Sequence, residues 1–254
     1  MDIKPLLIVI TLIAIFALEG VFPHYQNRAA RLRHGLPHVV TAIMNGLFTR
    51  FALGGMTIAA LAWAQSSAPI SLSLFQPVSI VEIAFVFVLF DIYMYFWHKA
   101  NHRIAFLWRF HRAHHSDTDM DTTTALRFHP GELVLSTLVR LPMLMLLGMT
   151  IAQLLLFETI LNLSTLFHHS NLALPEKWDR VLRTVITTPN MHRVHHSIVR
   201  AETNSNYTSI LSCWDRLFNT FRTREDTRTI TLGLERYREE SFQRLWGFLK
   251  TPFL

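Results

Sequence analysis

The string H-R-x-H-H occurs twice in this 254-residue chain, as "HRAHH" at 111–115 and "HRVHH" at 192–196. Each places imidazoles at i, i+3 and i+4, so one helix end can aim three ring nitrogens in a common direction. Two further groups accompany them, His98 and His102 in "HKANH" and the adjacent His168 and His169 in "LFHHSN". Uncharged imidazole is a ligand for zinc, copper, iron and nickel. A structural zinc needs four ligands, so eight or nine clustered imidazoles oversupply a single ion and suit two metals with positions left open. The bland alternative is that these histidines are polar anchors at a membrane interface. That explains one isolated histidine but not three spaced clusters. Cys213 is the only cysteine, which excludes a disulfide framework and Cys-based zinc or iron–sulfur sites and leaves buried packing as its expected role. The Glu-x-x-His pattern of ferritin-like carboxylate sites is absent.

The elements that must carry these strings are apolar. Half of the residues are hydrophobic and 17% are charged, against about 25% charged in ordinary soluble domains. No linker, repeat or low-complexity tract divides the chain, so 1–254 reads as one unit. The net charge of +6 sits beside apolar runs and no nucleic-acid motif is present, which points to a membrane surface. Residues 5–18 are uncharged and read as an uncleaved span, because no small-x-small cleavage site follows. Further spans are expected at about 42–64 and 79–97, and a helical hairpin over 133–167 turning near Gly148. The expected fold is therefore an all-α integral membrane protein, with about three spanning helices, a helical hairpin and a helical cap carrying the histidine clusters. Arg28, Arg31 and Arg33 lie between the first two spans, whereas 65–78 carries no charge. The positive-inside rule then sets the first loop, and every histidine cluster with it, in the cytoplasm. An even number of crossings in the hairpin returns "HRVHH" to the face of "HRAHH".

The ordered set "HKANH", "HRAHH", "HHSN" and "HRVHH" resembles the fatty acid hydroxylase / sterol desaturase superfamily of integral-membrane di-iron enzymes. The surrounding "DIYMYFWH", "TALRFHP", "NSNY" and "WDRLFNTF" also resemble family segments, over about 85–221. The resemblance implies that His98, His102, His111, His114, His115, His192, His195 and His196 are iron ligands. In the third segment, alignment on "HS" selects His169 and alignment on "HH" selects His168; the former is preferred. The same resemblance implies two iron ions, dioxygen as co-substrate, a lipid or sterol-like substrate, and hydroxylation or desaturation as the outcome. No flavin, nicotinamide or haem motif is present, so electrons come from a separate donor protein.

Three more residues are candidates for supporting roles. Asp91, two helical turns before His98, can accept a ring N–H from a ligand imidazole or pair with Arg103. His129, in "FHPGE", is implied to lie beside the site or on the substrate side. Asn171, like Asn190 and Asn206, can hydrogen-bond a ligand or form a turn. Two rival functions remain: a zinc-dependent membrane hydrolase, and a metal transporter or sensor, whose ligands belong near mid-span.

Overall fold

Apolar runs of eighteen residues or more fold into helices because a helix satisfies every backbone group internally where no water can. The computed structural model describes residues 3–26, 30–67 and 80–254. Arg28, most of the uncharged loop at 65–78, and residue 79 of the expected third span lie outside them. Helix α1 spans Lys4–Val21. Helices α2 (Arg31–Phe48) and α3 (Gly54–Ser67) join through a π-helical turn at Thr49–Leu53 into one stretch. Helix α4 is Ile80–Arg103, α6 is Pro130–Leu147 and α7 is Ile151–His168. Among the described residues five stretches are thus long and apolar enough to cross a membrane, as expected of an integral membrane protein.

The hairpin turns where expected. Gly148 ends α6 at φ 62°, the left-handed region that glycine enters without a side-chain clash. Thr150 and Gln153 then cap α7 reciprocally. The second span differs from expectation: helix begins at Arg31, not near 42. The polar start "RLRHGLPH" lowers hydropathy, yet His34 and His38 of that turn find partners in Asp117, Asp121 and Thr123, which hold it helical.

Leu61, Val86, Phe90, Leu144, Leu154 and Phe157 form the main apolar core between α3, α4, α6 and α7. A charge buried in a low-dielectric medium is costly unless it is paired. Glu158 of α7 takes both Lys4 of α1 and Arg140 of α6.

All five stretches meet the functional region at one end. Glu19, near the end of α1, accepts the backbone N–H groups of Thr122 and Asn171 through one carboxylate oxygen. Helix α5 (Ala105–His115) turns back from α4, and a 3-10 turn at Thr122–Leu126 leads into α6. Beyond α7 the chain forms short helices, among them α8 (Glu176–Leu182), α9 (Pro189–His195), α10 (Arg200–Thr203) and α11 (Cys213–Leu217). No strand longer than an isolated bridge occurs among the described residues.

Candidate metal centre

Helices α4, α5 and α9 and the end of α7 converge their imidazoles into two adjoining groups. One holds His98, His102, His111, His115 and His195; the other holds His114, His169, His192 and His196. Within each group one ligand-capable atom per residue lies within 4.8 Å of all the others. Both H-R-x-H-H strings are divided between the groups. "HRAHH" gives His111 and His115, one turn apart on α5, to the first and His114 to the second. "HRVHH" gives His195 to the first and His192 and His196 to the second. The rings of His115 and His196 stack across the divide at 4.3 Å.

The outer ring nitrogens decide what the inner ones can do. Nδ1 of His98 faces the Tyr207 carbonyl at 2.7 Å, and Nδ1 of His195 faces that of Ser205 at 2.7 Å. Nδ1 of His169 faces the Thr165 carbonyl at 2.8 Å. A carbonyl only accepts, so each of these nitrogens donates its N–H and each Nε2 is left with a bare lone pair. Yet Nε2 of His98 lies 3.1 Å from Nε2 of both His111 and His195. Nε2 of His169 lies 3.1 Å from that of His114 and 3.0 Å from that of His192. Bare lone pairs at that range repel unless a cation sits among them. An imidazole–metal bond of about 2.1 Å sets neighbouring nitrogens on one ion about 3.0–3.4 Å apart. The observed spacing therefore fits a bound metal.

Two further observations agree. Both ring nitrogens of His102 and of His196, and Nε2 of His115, are buried without a hydrogen-bond partner, an arrangement that is costly unless something binds there. Burial and neighbouring imidazoles hold His114, His115, His192, His195 and His196 well below the ordinary imidazole range. Burial likewise takes His169 down to about 4. These rings are neutral near pH 7, with lone pairs available.

His168 lies outside both groups, its ring 4.1 Å from that of His192. The three supporting candidates also sit elsewhere. Asp91 accepts from the Trp214 indole at 2.8 Å and from the Leu211 backbone at 3.2 Å, rather than from an imidazole or Arg103. It fixes the "WDRLF" segment to α4. His129 caps α6 through Nδ1 and meets the Leu249 carbonyl with Nε2, packing the C-terminal segment against α5 and α6. Asn171 exchanges hydrogen bonds with the Tyr25 backbone and pins the segment after α1. Cys213 is exposed, contrary to the packing role expected, because Trp214 and Asp215 turn inward in its place.

Sequence reasoning missed Glu132. Its carboxylate, 4% exposed, accepts from His111 Nδ1 at 2.8 Å. An acid within the first turn of an apolar span was the available signal. A carboxylate behind a ligand imidazole fixes its tautomer and raises its basicity. Glu132→Gln is expected to weaken metal affinity about 10–100-fold, measured by competition with a chromogenic chelator; unchanged affinity would remove Glu132 from the site. A second network lies behind His114 and His115. Arg127, 1% exposed, donates to Ser116 and to the Ala113 carbonyl and meets His38, while Asp117 and Asp121 share His34. The His34 neighbourhood held Asp117 and Asp121 below the usual carboxylate range, so this network locks α2 to the end of α5.

A helical bundle that ends in a cage of nine buried or half-buried histidines defines a class of membrane protein whose histidine clusters could hold metal ions. The fatty acid hydroxylase family pattern matches residues 83–220, more than half of the chain and every histidine of both groups. The chain belongs to that family. It is 31% identical over 158 residues to ornithine lipid hydroxylase OlsE of Rhizobium tropici, covering 61% of this chain and 45% of that protein. It is 27% identical over 136 residues to the alkylglycerol monooxygenase of Homo sapiens, covering 52% and 28%. For the Xenopus tropicalis alkylglycerol monooxygenase the values are 30% over 138 residues, 52% and 28%. The chain therefore spans less than half the length of these relatives. No solved structure gives a significant match.

Proposed function

We propose that the chain is a membrane-bound di-iron oxygenase that hydroxylates a lipid. The division of both H-R-x-H-H strings over two adjoining all-imidazole groups carries this proposal. His98, His102, His111, His115 and His195 would hold one iron, and His114, His169, His192 and His196 the other. Two irons so held supply the activation of dioxygen with two external electrons, in the balance RH + O2 + 2 e− + 2 H+ → ROH + H2O. The protein's own part is positional. Carbonyls of Tyr207, Ser205 and Thr165 and the Glu132 carboxylate fix the ring orientations before metal binds. Burial keeps water from the cage and the imidazoles neutral.

Helices α4 and α7 run from the apolar bundle to the cage, which suits a substrate whose chain lies in the bilayer. Hydroxylation is favoured over desaturation because the relatives are a lipid hydroxylase and monooxygenases by name. Arg31 and Arg33 at the start of α2 favour a cytoplasmic position for the cage. Purified protein in lipid nanodiscs, given a reductant and labelled dioxygen, should place one labelled oxygen atom in an alkyl-chain lipid. Product formed without dioxygen or reductant would instead support a zinc-dependent hydrolase.

A further inference from the structure

Seven of the nine histidines of the cage are buried; His98 and His102 are half-buried as residues, with both ring nitrogens of His102 covered. The five-histidine group therefore approaches the surface on one side, and Trp108 stands there. Its half-buried indole lies 4.9 Å from the His102 ring, 5.4 Å from that of His115 and 6.2 Å from that of His111. One side chain thus joins the protein surface to three rings of a single group. The chain around it is charged with one sign. Between residues 92 and 116 there is no Asp or Glu, whereas Lys99, Arg103, Arg109 and Arg112 all fall there. Arg103 and Arg109 are exposed. Arg31, Arg140, Arg183 and Arg224 each pair with a carboxylate. Among the described residues Lys99, Arg103, Arg109 and Arg112 pair with no Asp or Glu side chain, although Arg109 donates to the Pro252 carbonyl and Arg112 to backbone oxygens of Thr251 and Leu254.

We propose that Trp108 is the electron port of the metal centre, and that the cationic surface beside it receives an acidic one-electron carrier protein. This rests on the di-iron proposal above. A cationic surface without acidic side chains in the same segment attracts an acidic partner and speeds its encounter. The nearness of the indole to three imidazoles then gives an electron a ring-to-ring route inwards. With iron held in the cage, each encounter would oxidise the carrier by one electron and reduce one ferric ion to ferrous. Two encounters supply the electron pair that the hydroxylation consumes.

The test is anaerobic reduction of the iron-loaded protein in nanodiscs, followed by stopped-flow absorbance. Photoreduced plant-type ferredoxin serves as the acidic probe and dithionite as a small-molecule control. Trp108→Leu and the pair Lys99→Glu/Arg103→Glu are each expected to slow reduction by ferredoxin about tenfold or more at low salt. Both should keep two metals per chain and the wild-type rate with dithionite. Added salt should close the gap for the charge variant, because screening removes steering. Trp108→Phe, which retains a ring, should fall between. Ferredoxin reduction at the wild-type rate in Trp108→Leu and Trp108→Phe would overturn the port. Charge reversal that weakens binding to anionic vesicles yet leaves reduction unchanged would make the surface a lipid contact and overturn the docking site. Failure of dithionite to reduce the wild-type protein would overturn the di-iron proposal itself.

Discussion

Alanine at His114 or at His195 is expected to reduce lipid oxidation to background while leaving a folded, membrane-inserted protein. His195 Nε2 is 3.1 Å from that of His98, and His114 Nε2 is 3.1 Å from that of His169. Each variant therefore opens a different one of the two groups, and the proposed dioxygen chemistry needs both. Insertion should survive, because the apolar faces of α1, α3, α4, α6 and α7 pack without these rings. Activity assays paired with chromatographic homogeneity and membrane fractionation check the outcome. A variant retaining substantial activity would exclude that histidine as an essential ligand. The neighbouring pair offers a sharper comparison. His169→Ala is expected to be as severe, whereas His168→Ala should leave more activity, since His168 lies outside both groups and meets the cage through the His192 ring.

The clustering of the histidine strings was legible because their information is local. An i, i+3, i+4 spacing on a helix end fixes which way three rings point, whatever the rest of the chain does. How the strings divide between two groups was not legible. That depends on how α5 crosses α9 and on where α7 ends, which are tertiary facts. The supporting residues show the same limit. Asp91 lies on the face of α4 that carries His98, and helical geometry alone allowed it to reach a ligand. Trp214 and Leu211, more than a hundred residues on, occupy its carboxylate instead. Glu132 is twenty-one residues from His111 and meets it only because α6 packs beside α5. The apolar runs gave helices α1, α4, α6 and α7 close to their observed limits. The early start of α2 was hidden, because the partners that stabilise its polar first turns come from residues 117–123.

Metal analysis of the purified protein is the second large effect and the most direct test of the cage. Five imidazoles in one group and four in the other, with Nε2 atoms 3.0–3.1 Å apart, would on the proposed reading form two ion sites rather than one. Protein expressed in iron-sufficient medium should contain about two metal ions per chain. Zinc can also occupy histidine sites, so stoichiometry counts for more than the element recovered. Combined His102→Ala and His195→Ala substitutions empty one group of two ligands and should bring the content to about one. Two metals in the wild-type chain and one in that variant is the predicted result. A single metal in the wild-type chain, retained with full activity, would contradict the two-metal centre.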